Sequence, residues 1–246
     1  MIKSSNPALQ GTPFTGVGVF PGVETMTIQG TVNKSFFLTG LVILSAAVAW
    51  TQAGQYPQYI NIVTTGGALL GFMVALITIW KKHLASWTAP LYAIIEGIVL
   101  GLISLVFETQ FQGIVFQAFI STMGTLIGLL FAYKSGFIKA TENFKLGVCA
   151  ATFGIMIVYL ITMVLGFFHI TIPYIHDNSI WGIAFSIFVV IVAALNLVMD
   201  FDFIEHGAQV KAPKYMEWYA SFALMVTLIW LYLEILRLLA KSRSRK

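Results

Sequence analysis

Apolar residues fall in seven long blocks along this chain, separated by short polar breaks. A helix that crosses a bilayer needs about 20 apolar residues at 1.5 Å rise each. The blocks meet that length at roughly Ser35 to Thr51, Tyr59 to Trp80, Thr88 to Phe107, Gly113 to Tyr133, Lys145 to Phe168, Ile180 to Phe203 and Tyr215 to Ala240. The linkers are short, which predicts antiparallel neighbours, and no soluble domain is inserted between them. The expected fold is therefore an all-α membrane protein of seven transmembrane helices. Residues 1–34 are expected as a flexible cytoplasmic tail, residues 35–240 as the helical domain, and residues 241–246 as a basic C-terminal tail.

Composition sharpens this picture. Of 246 residues, 58% are hydrophobic and only 10% charged, with a mean hydropathy of +0.86. Soluble chains carry about 25% charged residues, so a soluble enzyme is excluded and the lipid bilayer is the expected surrounding. The single cysteine, Cys149, leaves no intrachain disulfide. Residues 1–34 hold no run resembling a cleavable signal, so the first span is expected to serve as an uncleaved insertion signal.

Charge sets the expected orientation. The loops near Thr51 to Gln58, Glu108 to Gln112 and His169 to Ser179 contain no Lys or Arg. The alternate loops hold Lys81 and Lys82, then Lys134, Lys139 and Lys145, then Lys211 and Lys214, while Lys3 and Lys34 precede the first span. By the positive-inside rule the N-terminus and the basic loops face the cytoplasm, in what is expected to be a prokaryotic plasma membrane. Seven spans then put the basic end KSRSRK outside, against the rule. Either the last helix is atypical or the earlier loops dominate the topology, and the second is favoured. No basic domain for nucleic acid is present.

Paired glycines mark the packing faces. Gly67 and Gly71, Gly97 and Gly101, and Gly124 and Gly128 form G-x-x-x-G on the second, third and fourth spans. Small residues four apart let helix backbones approach closely in lipid, which predicts a compact bundle centred on those three helices.

Ionisable residues within a bilayer are costly and normally face a cavity or a partner, so they are the candidate chemistry. Glu96, in LYAIIEGIVLG, sits near the centre of the third span, either as a packing element or in a pathway. Asp200 and Asp202 close the sixth span in LNLVMDFDFIEHG. Two residues apart, they point to different faces, with Asp200 the deeper, whereas Asp202 and Glu205 share a face. Glu217 opens the seventh span and is expected at the same mouth. Crowded carboxylates disfavour full ionisation, which makes protonation a switch, and they supply the hard oxygen ligands that Ca²⁺ takes. For Asp202 and Glu205 a solvated acidic helix end is the alternative. On the seventh span Glu234 and Arg237, three apart, can pair. Arg237 can equally snorkel to the interface or reach Glu96. His169, His176 and Asp177 are too sparse for a zinc site. No H-E-x-x-H, G-x-S-x-G or P-loop occurs, and no enzyme activity or tightly bound cofactor is expected.

The stretch NLVMDFDFIEHGAQVKAPKYMEWYASFALMVTLIWLYLEILRLL, with IIEGIVLGLIS on the third span, resembles the Bax inhibitor-1 family in its YccA-like prokaryotic branch. The resemblance covers about Val32 to Leu239 and is strongest over the last two spans. It implies outer helices wrapped around a central C-terminal helix, and a pH-sensitive Ca²⁺ leak gated by two aspartates on the last two helices. Asp200 matches the first aspartate, Thr227 stands in place of the second, and Arg237 matches the family's arginine. A family glutamate on the second span is absent near Gly71, while Glu96 supplies an acid on the third. The resemblance and the buried acids together predict a proton-responsive cation pathway using Asp200, Glu96 and Glu217, with Asp202, Glu234 and Arg237 beside them. Asp200 and Glu217 would be the ligands of a transient Ca²⁺. The alternative is a non-conducting regulator that binds other membrane proteins, such as a membrane protease. A membrane-embedded hydrolase is more distant.

Overall fold

A computed structural model describes residues 24–168 and 179–245. The segment 1–23 and the loop carrying His169, His176 and Asp177 lie outside the described residues. Among the described residues seven α-helices follow one another: α1 Ile28–Ala53, α2 Ile60–Trp80, α3 Ala85–Gln110, α4 Ile114–Lys134, α5 Glu142–Phe167, α6 Ile180–Gln209 and α7 Met216–Arg243. All seven are long and apolar enough to cross a membrane. Each expected span falls on one of them.

The ends differ from expectation for local reasons. α1 starts at Ile28, seven residues before its apolar block, because Thr27 caps it by accepting a hydrogen bond from the Gly30 N–H at 2.9 Å. Residues 28–34 are thus helix, not tail. α5 likewise starts early, with Thr141 as its cap and Glu142 in the first turn, where an acid suits the positive helix end. α7 runs on through Arg243, so the first residues of the expected basic tail are helical. Hydropathy finds the buried length of a helix and misses its polar ends, which capping decides.

The helices form two compact units. One holds α1, α2 and α3 together with residues 202–226, the end of α6 and the start of α7. The other holds α4, α5, α6 as far as Phe201 and α7 from Thr227. α7 is the most buried helix, at 56% of its most apolar window, and α5 the least, at 11%.

In the first unit α3 packs against both α1 and α2, and the glycines make that possible. A Cβ at Gly97 would lie 2.6 Å from the Val42 carbonyl oxygen, and one at Gly101 would lie 2.8 Å from the Ala46 Cα. Gly67 faces Val99. The α4 pair behaves otherwise: nothing lies within 4 Å of a Cβ built at Gly124 or Gly128. The glycine-packed bundle is therefore α1, α2 and α3, and not the second, third and fourth helices. α1 was invisible to that reasoning because the partner face of a glycine ridge needs no glycine of its own.

In the second unit Ile155 on α5 meets Val189 and Val192 on α6, with Tyr159, Phe185 and Trp230 around them. The basic end of α7 is tied in here. Lys241 is buried and donates to the Gly182 carbonyl at 3.2 Å and the Ser186 hydroxyl at 2.9 Å. Arg243 donates to the Gln112 carbonyl at 2.7 Å and Gln117 Oε1 at 2.9 Å. Two cations of KSRSRK thus satisfy carbonyl and side-chain acceptors near the starts of α4 and α6.

Candidate functional site

α6 places one acid inside the protein. Asp200 is 1% exposed, while Asp202 is half-buried, as a step of about 200° around the helix requires. One turn earlier Asn196, also buried, donates to the Thr152 hydroxyl on α5 at 2.8 Å and to the Val192 carbonyl at 2.8 Å. Phe201 stacks obliquely with Tyr133 of α4, ring centres 5.9 Å apart. α6 is therefore pinned next to Asp200 by a polar contact to α5 and an aromatic contact to α4. Thr227 of α7, in the same unit, is buried too. Glu205, a turn and a half further along α6, accepts from Gln209 at 3.4 Å.

Glu234 and Arg237 do pair. Arg237 Nη1 donates to Glu234 Oε1 at 2.8 Å, and the Tyr159 hydroxyl of α5 donates to the same oxygen at 3.0 Å. The guanidinium also lies over the Tyr159 ring, 5.8 Å from its centre, at cation–π distance. Of the readings open for Arg237, the ion pair is the one formed. Glu234 is 2% exposed, and its second oxygen is buried without a hydrogen-bond partner.

Glu96 lies on the face of α3 turned to α2. A Cβ built at Gly71 would overlap its carboxylate, so the glycine leaves the room this acid fills. No hydrogen bond or ion pair reaches the Glu96 carboxylate among the described residues. The acid carried by α3 thus sits against the α2 backbone at Gly71, where the resemblance leads one to expect an acid on α2 itself.

Glu217 is fully buried and heavily engaged. Its Oε1 accepts from the Thr27 backbone N–H and hydroxyl, both at 2.9 Å, and its Oε2 pairs with Lys34. Lys214 stands 3.8 Å away. Around this carboxylate gather cations and donors rather than the acids expected at a shared mouth. Among the described residues no three His, Cys, Asp or Glu side chains converge as metal ligands.

Tyr159, Asn196 and Thr27 are not singled out by the sequence, and Lys34 enters there only as a charge ahead of the first span. Tyr159 and Asn196 are polar residues inside apolar blocks, a signal that was available. Thr27 and Lys34 partner a residue 190 and 183 positions away, and no local pattern encodes that.

A family profile described as Bax inhibitor 1 like matches residues 4–244, nearly the whole chain. No curated protein matches the chain.

Proposed function

Because the chain belongs to the Bax inhibitor 1-like family of membrane proteins, we propose that it is a proton-responsive leak for Ca²⁺ or a similar cation, gated by membrane-embedded carboxylates. The observation that carries the reading is Asp200, an acid 1% exposed within a membrane-crossing helix. A charge there is costly enough that a pathway or a switch is its usual reason. Ionised, its oxygens can take a hard cation from water; protonated, the same group loses that charge and turns hydrogen-bond donor. Glu96, in the other unit, is a separate candidate acid, free of the ion pairs that hold Glu217 and Glu234.

The other residues take supporting roles. Glu234, Arg237 and Tyr159 fix α7 to α5. Asp202 and Glu205 stand at the rim of α6. Glu217 is assigned to holding α1 and not to binding the cation. The reading involves no catalytic step and no resident cofactor. It places the chain in a prokaryotic plasma membrane with its lysine-rich loops in the cytoplasm, following the distribution of Lys and Arg.

The test is Ca²⁺ entry into dye-loaded proteoliposomes at acidic and neutral pH, with Asp200→Asn and Glu96→Gln alongside. Flux that varies with pH in the parent, and that falls in Asp200→Asn, is the expected result. No flux above empty liposomes, from protein shown to be folded, would sink the leak and favour a non-conducting regulator of other membrane proteins.

A further inference from the structure

The first unit holds a device that this reading leaves unused. Ahead of α1, residues Glu24 to Thr27 lie against the turn between α6 and α7. The Met26 N–H donates to the Ala212 carbonyl at 2.6 Å and the Lys214 N–H to the Glu24 carbonyl at 3.0 Å. Between these bonds Thr25 and Pro213 face each other as an antiparallel bridge. The pair is of the non-hydrogen-bonded kind, so the missing N–H of Pro213 costs the bridge nothing. The Met26 side chain is buried. The turn itself is strained, with Lys211 at φ 52°, a left-handed conformation that side chains other than Gly, Asn and Asp seldom adopt.

One carboxylate fastens this segment. Glu217, in the first turn of α7, accepts from the Thr27 N–H and hydroxyl and pairs with Lys34 of α1. Lys214 reaches both Glu217 at 3.8 Å and Glu24 at 3.7 Å. One turn further along α7 the Ser221 hydroxyl donates to the Thr31 carbonyl at 2.9 Å. A Cβ at Gly30 would overlap the Glu217 carboxylate, so α1 gives up a side chain to let it in. Trp218 completes the fastening, with its ring under the Lys34 ammonium at 5.3 Å and edge to face with Phe37 at 6.0 Å.

We propose that Glu24 to Thr27 form a strap that clamps the α6–α7 turn to the foot of α1, with Glu217 as its fastening, and that release of the strap frees the turn while the helices stay folded. The strap is short and is held by two backbone bonds, the buried Met26 side chain, the Lys214–Glu24 pair and, through Thr27, one buried acid. Its opening therefore governs whether the turn can rearrange. The inference stands on this geometry alone and holds whether or not the chain conducts ions.

Amide hydrogen exchange on the full chain in lipid nanodiscs tests it, comparing the parent with Lys34→Met, Glu217→Gln and, as a control at an exposed acid, Glu142→Gln. In Lys34→Met the amides of Met26, Thr27 and Lys214 should exchange about tenfold faster or more, with the interiors of α1 to α7 unchanged, because local opening is separable from global unfolding. A Thr25→Cys/Pro213→Cys pair on a Cys149→Ser background should close on oxidation, since non-hydrogen-bonded partners stand about 4.5 Å apart at Cα, within disulfide reach. The closed strap should restore protection to Lys34→Met. Unchanged exchange at the three amides in Lys34→Met would overturn the proposal, as would protection lost evenly along all seven helices, or a cysteine pair that does not close. Should Glu217→Gln fail to fold, Lys34→Met and the cysteine pair still decide it.

Discussion

At the scale of single residues, three acids are buried among the described residues, Asp200, Glu217 and Glu234, and a fourth, Glu96, is half-buried; their surroundings differ. Two are neutralised by cations, Glu217 by Lys34 and Glu234 by Arg237. Removing one member of such a pair leaves a charge buried alone, which costs several kcal/mol when both members are dry. The Arg237 side chain is 42% exposed, so solvent screens part of that cost. Arg237→Ala should therefore lose about 1–3 kcal/mol of stability, and Tyr159→Phe, which removes the hydroxyl's hydrogen bonds to Glu234 and from Arg237, about 1–2 kcal/mol. Thermal unfolding in detergent reads both, and an Arg237→Ala protein as stable as the parent would show that the pair is not holding α7. Gly71→Leu makes the opposite kind of test. Its side chain would need the space of the Glu96 carboxylate, so it should displace that acid and alter flux as Glu96→Gln does, if Glu96 lines the pathway. These environments were only half legible in the sequence. That Asp200 and Asp202 point to different faces followed from helix geometry; that Asp200 is the one turned inward did not. That Glu217 meets lysines instead of acids did not, because its partners come from the other end of the chain.

At the scale of elements, two glycine pairs with the same spacing meet opposite surroundings. Gly97 and Gly101 on α3 press on the α1 backbone, whereas Gly124 and Gly128 on α4 have open space at Cβ. Gly97→Leu should force α1 and α3 apart and sharply reduce the yield of folded protein. Gly124→Ala and Gly128→Ala should leave folding intact, because alanine adds no clash there and suits a helix better than glycine by about 1 kcal/mol. Size-exclusion profiles and thermal unfolding of the three variants separate these outcomes. Equal damage from both pairs would contradict the packing described. The G-x-x-x-G pattern marks where a close approach is allowed; which helix uses it depends on how the chain closes.

At the scale of the whole molecule, seven helices are long and apolar enough to cross a membrane, and seven crossings would leave the two ends of the chain on opposite sides. With the Lys81 and Lys82 loop in the cytoplasm, single cysteines on a Cys149→Ser background should label from inside at Lys81 and from outside at Arg245. A membrane-impermeant thiol reagent on intact cells and on inverted vesicles makes the measurement. Labelling of both positions from one side would require an even number of crossings. The structure also eases the conflict raised by KSRSRK. Lys241 and Arg243 are hydrogen-bonded within the second unit, so these charges act in packing and need not behave as a free basic loop when orientation is set.

The amino-acid sequence alone determined the seven helices, their order and the family, because hydropathy over some 20 residues and the motifs of the last two spans are local properties. It also singled out Asp200 and Glu96, since an acid in an apolar block is conspicuous wherever the block ends up. Tertiary structure alone decided which cation neutralises which acid, which helix the α3 glycines admit, and that residues before α1 bind the turn before α7. Those outcomes depend on close contacts between segments up to 190 residues apart. No local pattern of hydrophobic and polar positions carries that information.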